Sequence, residues 1–351
     1  LFTLDSDGEW IGSFNNISSL QWLEKFQGVG EFKLVCSWTQ DNYDLAENGH
    51  SLILMDSPIR MFIEHYEISE DSSDGTILTV RGRSAAQLLD EKTLIGSILI
   101  DNAEPGMIRL AKMSSIDLFA SASSPYKQVN IELSWDSLLA NMLKICDASD
   151  IGFEVTHGFP NFSTQDTFTV IKGIDRTLGG SADYIGFFSD ANGALSNVQI
   201  IKGSENYKNK AVIAGEGNGS TRIYETVEIG TPANPKLVKE LFVDASDLPK
   251  SYSITNESGS ATQGTYSDSQ YRRLLRDRGY EELNKYNKDF MVQADFNEDA
   301  AVYGVDYLLG DLLPLGFSHL PGRTVRARVS EITRVYKPSE KSIITTFDKF
   351  L

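Results

Sequence analysis

The chain has 351 residues, 41% hydrophobic and 23% charged, which is ordinary globular material with room for two or more cores and excludes a disordered chain. Its formal net charge of −17 excludes nucleic-acid binding as the main task, because phosphate contacts need clustered Lys and Arg. No run is long and apolar enough to cross a bilayer, so no stable membrane insertion is expected, and the first residues do not read as a signal peptide. Two cysteines, Cys36 and Cys146, are too few for a disulfide framework or a metal cluster and read as small buried apolar residues.

Residues 1–97 read as a first β domain. Residues 31–36 alternate, 59–68 form a long strand, 71–75 a turn with an Asp-Gly signal, and 76–82 a return strand. Ser84 then caps a short helix carrying Leu88 and Leu89. Residues 98–190 read as an α+β insertion. A helix over 102–113 has Pro105 near its start. Ser134 is the expected N-cap of a second helix, with Trp135, Leu138, Leu139, Met142, Leu143 and Cys146 on one core-facing stripe. Residues 151–155 and 167–171 read as a strand pair, followed directly by Gly173-Ile-Asp-Arg-Thr177.

Residues 191–287 read as a second β-rich domain, with strands at 197–201, 210–214 and 237–244 and a mobile polar loop at 255–265. Ser267-Asp-Ser-Gln270 is a capping box opening a helix that carries Tyr271, Leu274, Leu275 and Leu283 to about residue 287, with Gly279 as a kink or weak point. Residues 288–351 read as the last strands completing a tube-like barrel. In 303–315, Gly304 and Gly310 can take positive φ, and Asp306 and Asp311 can accept the backbone bonds of tight turns. A long strand at 325–336, a turn at 337–341 and a return strand at 343–347 close the chain.

The two ends repeat one idea. In the first long strand the apolar positions Ile59, Met61 and Ile63 give way to Tyr66 and Ile68; in the last, Val325, Ala327 and Val329 give way to Ile332. Each slips by one residue after three alternations, which moves the apolar set to the other face unless a bulge absorbs it. Two bulged hairpins at the two ends predict two copies of one β domain. The fold class is therefore mainly β (α+β), with two barrel-like tube domains at the chain ends and α+β insertion domains between them.

No catalytic, cofactor-binding or metal-ligating residue is assigned. His50, His65, His157 and His319 lack metal-ligand spacing, and no Gly-x-Ser-x-Gly elbow is present. Gly215-Glu-Gly-Asn-Gly219 lacks the Gly-Lys-Ser/Thr ending of a phosphate loop and reads as a hairpin turn. Asp5-Ser-Asp-Gly8 is a fragment of a calcium loop with Asn16 where the glutamate should stand. Asp306 with Asp311, or Asp244 with Asp247, could serve a carbohydrate- or peptidoglycan-degrading enzyme if a pair faced one cleft, but turn chemistry explains them without catalysis. A glycan-binding module would expose tryptophans in a groove; of Trp10, Trp22, Trp38 and Trp135, the last is expected to be buried.

Taken in order, several segments resemble the tail-associated baseplate hub proteins of long-tailed bacteriophages, relatives of the hub of contractile-tailed phages. They are Gly30-Glu-Phe-Lys-Leu34, Leu78-Thr-Val-Arg-Gly-Arg-Ser84 with Leu88-Leu-Asp90, Gly173-Ile-Asp-Arg-Thr177, Asn209-Lys-Ala-Val-Ile-Ala-Gly-Glu216 with Arg222, and Lys239-Glu-Leu-Phe-Val-Asp-Ala-Ser-Asp-Leu248. Arg278-Gly-Tyr-Glu-Glu-Leu283, Tyr303-Gly-Val-Asp-Tyr-Leu-Leu-Gly-Asp311 and Arg328-Val-Ser-Glu-Ile-Thr-Arg-Val-Tyr336 complete the series. Lys239-Glu240 departs from the family's arginine-glutamate pair. The resemblance implies a structural protein without cofactor, a homotrimer whose six related β domains dock on a sixfold distal tail ring or tail tube. It implies a tape-measure protein and a tail fibre or receptor-binding protein as further partners, and DNA only passing through the channel, with an acidic lumen. The location implied is the tail tip of the virion, after synthesis in the host cytoplasm, with roles in host attachment and DNA ejection.

Overall fold

In the computed structural model, residues 1–71, 75–122, 127–158, 165–177, 179–180, 186–219, 222–230, 234–255, 261–286, 290–297, 300–319 and 324–348 are described. They form two compact units, residues 1–199 with 292–351, and residues 200–291.

The larger unit is built on a 13-stranded sheet in which one five-stranded pattern occurs twice. In the first set Ile17–Lys25, Glu31–Ser37, Gly75–Ser84, Arg60–Asp71 and Ser51–Ile53 lie side by side in that order. In the second, Leu195–Lys202, Phe290–Phe296, Glu340–Asp348, Thr324–Lys337 and Leu312–Gly316 take the same order. Both long strands are bulged where the apolar alternation slips. The ladder shifts between Ile63 and His65 and between Val329 and Glu331, so Glu64 and Ser330 are the inserted residues. The bulge lets the apolar positions on either side keep facing the core.

The expected pair of barrels at the chain ends takes a different form. Residues 331–336 pair antiparallel with 20–25, so the two ends share one open sheet, and among the described residues no sheet closes into a barrel. On one side of the first set Trp22, Phe32, Leu34, Cys36, Met61, Leu78 and Val80 pack beneath the helix Gln40–Asn48 through Leu45 and Ala46. The turn expected at 71–75 lies at residues 72–74 outside the described residues.

An α+β segment of the same unit has its own core. The helices Ala103–Ala111 and Leu138–Ser149 pack through Met107, Leu110, Met142, Ile145 and Cys146 against Phe153 and Phe168. These two phenylalanines stand on the antiparallel pair Gly152–His157 and Asp166–Ile171. The second helix starts later than the sequence suggests. Its cap is Ser137, whose hydroxyl accepts from Ala140 N at 3.1 Å, because Gln128–Ser134 is a strand that carries the chain past Ser134. Trp135 therefore falls in the bend, with φ 32° and 71% of its surface exposed, and is not part of the core stripe. Cys36 and Cys146 are buried and not disulfide-bonded, and burial pushes the Cys36 thiol up to about 11.

In the smaller unit Lys210–Ala214 lies between Tyr224–Glu228, antiparallel, and Glu240–Asp244, parallel. The helix Asp268–Asn284 opens with both reciprocal bonds of the expected capping box. It runs unbroken through Gly279. A Cβ there would sit 2.4 Å from Ile213 Cδ1, so the glycine sets how closely helix and sheet approach. The expected loop is in part a hairpin, Ser251–Thr255 with Ala261–Thr265; residues 256–260, and residue 287 at the expected helix end, lie outside the described residues. Among the described residues no helix is long and apolar enough to cross a membrane.

Candidate functional site

The twofold pattern leaves a conspicuous asymmetry. In the second set the outer half of the long strand, 331–336, is covered by Ile17–Lys25 of the first. In the first set the corresponding half, residues 65–70, has no neighbour on that side among the described residues, because Ser51–Ile53 reaches only Arg60–Phe62. Leu195–Lys202, the counterpart of Ile17–Lys25, stands at the other end of the sheet. Both edges expose isoleucine, Ile68 at 45% and Ile201 at 41%. An open strand edge carries unmade backbone hydrogen bonds and templates the addition of another strand.

The covered junction shows what such an edge becomes when filled. Arg334 Nε donates to Glu24 Oε1 at 3.0 Å, and Ser57 Oγ donates to the same oxygen at 2.7 Å. Trp22 Nε1 donates to Ser57 Oγ at 3.1 Å, and the Arg334 guanidinium lies 5.2 Å from the centre of the Tyr303 ring. Glu24 and Arg334 are both buried. They line a cavity of about 390 Å³ with Asp56, Glu154 and Tyr303. Burial, then the charge of Glu24, raises the Glu154 carboxyl above its usual range. Two carboxylates do meet here, but Glu24 is already held by Arg334 and Ser57. The arrangement is a buried ion-pair cluster locking one strand to another.

Above the junction the open face of the sheet is a shallow groove lined by Gln21, Glu31, Lys33, His65, Arg81 and Arg83. It mixes both signs of charge, Glu31 and Glu64 among Lys33, Arg81 and Arg83, and Arg83 pairs with Glu64 across strands at 2.8 Å. The chain's acidic excess is not concentrated on this face.

Two segments singled out from sequence meet in space. Asp311, buried, accepts from Ile174 N at 2.7 Å, from Leu308 N at 3.0 Å and from Arg176 Nε at 2.7 Å. Asp175 pairs with Arg326. The ion pairs of Gly173-Ile-Asp-Arg-Thr177 are thus long-range, and they tie this segment to Asp311 and to the long strand Thr324–Lys337. Gly173, at φ 66°, lies against Gly310, whose carbonyl oxygen a Cβ would approach to 1.8 Å. Only glycine fits there. Asp306 accepts from Val302 N at 2.7 Å and is a turn residue, well separated in role from Asp311.

The remaining candidates resolve into structure. Asp244 pairs with Arg222, which also donates to the Ala214 and Gly215 carbonyls, while Asp247 pairs with Arg278. Gly215-Glu-Gly-Asn-Gly219 belongs to the connection between two antiparallel strands. Asp5 Oδ1 accepts from Asp7 N and Glu9 N, both at 2.9 Å, closing a turn between Phe2–Leu4 and Trp10–Gly12. His157 is buried and pushed down to about 4 by burial and by Arg60; His65 and His319 are exposed. No group of three or more His, Cys, Asp or Glu able to hold a metal occurs among the described residues. Trp22 is the buried tryptophan, whereas Trp10, Trp38 and Trp135 are exposed. The free edges were not singled out from sequence; the slips at Glu64 and Ser330 mark the two bulges, one on the covered strand and one on the uncovered strand, and so do not tell them apart.

Comparison with known proteins gives a family and a fold. A family model described as Siphovirus ReqiPepy6 Gp37-like protein matches residues 1–347. No curated protein matches the chain. Among solved structures, the tail protein from Neisseria meningitidis MC58 is similar at 10% identity and a TM-score of 0.54, covering 99% of this chain and 95% of that one. The 43 kDa tail protein of prophage MuSo2 from Shewanella oneidensis is similar at 10% identity and a TM-score of 0.50, covering 95% of this chain and 94% of that one. At such identities the likeness is one of fold.

Proposed function

The chain belongs to the family of Siphovirus ReqiPepy6 Gp37-like proteins, and from that premise we propose that it is a structural protein of the phage tail, without enzymatic activity of its own. The fold it shares with two tail proteins supports this reading. In finer detail it is a baseplate hub at the tip of the virion tail, a homotrimer that docks on a sixfold distal tail ring or tail tube. It meets the tape-measure protein and a tail fibre or receptor-binding protein, and it closes or guides the channel through which DNA leaves during ejection.

The observation that carries the proposal is the doubled five-stranded pattern. Three chains with two related units each present six similar faces, which lets a trimer match a sixfold partner. The groove face, which mixes carboxylates with cations and pairs Arg83 to Glu64, suits contact with passing DNA that must not hold it.

Light scattering of the purified chain tests it. The expected mass is three times 38.9 kDa. A monomer at every concentration, with clearing of cell walls in a zymogram, would replace the hub by the enzyme reading.

A further inference from the structure

The junction inside the chain is a template for one between chains. Residue equivalences follow from the ladders. Glu64 and Ser330 are the inserted residues of the two long strands, so Ile68 corresponds to Arg334 and Ser69 to Val335. On the other edge, Ser37 N donates to Asn16 O in the first set and Asn297 N donates to Ala194 O in the second. The strand ladders independently make Ser37 and Asn297 equivalent. Counting from Asn16 and Ala194, Gln21 corresponds to Gln199 and Trp22 to Ile200. The burial agrees: Leu20 and Trp22 face inward, as Val198 and Ile200 do in part, while Gln21 and Gln199 face out.

We propose that the free edge at 65–70 of one copy pairs antiparallel with the free edge at 198–202 of the next copy, with Ile68 opposite Ile200 and Ser69 opposite Gln199. This rests on the hub reading and supplies its contact. The register copies that inside the chain, where Arg334 stands opposite Trp22 and Val335 opposite Gln21. It sets Tyr66 opposite Lys202, Glu67 opposite Ile201 and Glu70 opposite Val198, so no like charges oppose each other and both exposed isoleucine edges gain a neighbour. Each copy offers one edge of each kind, so the contact is head-to-tail, and repetition around an axis closes it into a ring. The gain is a ladder of main-chain bonds, as in other strand additions.

The test is a cysteine pair in the full chain, Ser69→Cys with Gln199→Cys, under mild oxidation. The pair Gln21→Cys with Val335→Cys, already opposed within one chain, sets the attainable yield. The expected result is a ladder of covalent dimers and trimers on a denaturing gel, at no less than half that yield. The off-register pair Ser69→Cys with Ile201→Cys is expected to link at least tenfold less. A second variant, Ile68→Asp, alters a side chain already exposed and is expected to reduce the trimer to a 38.9 kDa species. A trimer by light scattering in which the in-register pair stays unlinked, or which Ile68→Asp leaves intact, overturns the strand pairing while the hub reading stands. A monomer at every concentration overturns the strand pairing, and only together with clearing of cell walls in a zymogram does it overturn the hub reading as well.

Discussion

The two five-stranded sets differ in what lies against the outer half of their long strand. In the second set that half is covered within the chain and carries a buried charge, Arg334 with Glu24. In the first no strand covers it among the described residues, and the corresponding residue is the exposed Ile68. A buried ion pair is costly to desolvate and strongly disfavours mismatched partners, which suits a junction that must form once, in one register, during folding. An edge whose charges, Glu67 and Glu70, stay exposed is tolerable in water before assembly and needs no partner charge to be satisfied. One backbone pattern thus carries two chemistries, one for a permanent joint and one for a joint made later.

The comparison can be broken most severely at the bulges. Deleting Ser330 turns residues 331–336 over relative to Ile17–Lys25 and should cost more than about 4 kcal/mol, with no cooperative transition left in a thermal melt followed by circular dichroism. Deleting Glu64 leaves that joint untouched, so the folded chain should persist at lower stability. A lesser effect is expected from Glu24→Gln, which leaves buried Arg334 without its counter-charge and should cost about 3–5 kcal/mol in denaturant unfolding. A milder change sharpens the picture in the opposite direction. Glu154 has a folded-state pKa above its unfolded one, so its stabilising contribution is present below the ordinary value of 4.5 and lost as pH rises through the folded value. Glu154→Gln should therefore melt above the parent at pH 7, and the difference should vanish below pH 4.5. The smallest effect belongs to Trp135→Ser, within about 0.5 kcal/mol of the parent by denaturant titration, because its ring is in solvent.

What could be read from the sequence was local. The slips at Glu64 and Ser330, the capping box at Ser267 and the strand pair closing on Asp166–Ile171 each need only a few residues of pattern. Trp135 went astray because two serines compete as caps three residues apart, and the strand through Ser134 decides between them only once Ser97–Asn102 is beside it. The joint between residues 20–25 and 331–336, and the bond from Arg176 to Asp311, are long-range pairings that periodicity cannot encode. The free edges were invisible for the same reason, since an edge exists only where a pairing is missing.

The first set passes from Ile17–Lys25 to Glu31–Ser37 through the five residues 26–30. The second passes between the equivalent strands, Leu195–Lys202 and Phe290–Phe296, by way of most of the smaller unit. That unit is a cargo carried in a hairpin loop. Its ends enter and leave at neighbouring strands, so lengthening the loop costs only the slow logarithmic entropy of closure. The position is a natural grafting point, where one passenger can be exchanged for another, or for a short turn, while the sheet keeps its register.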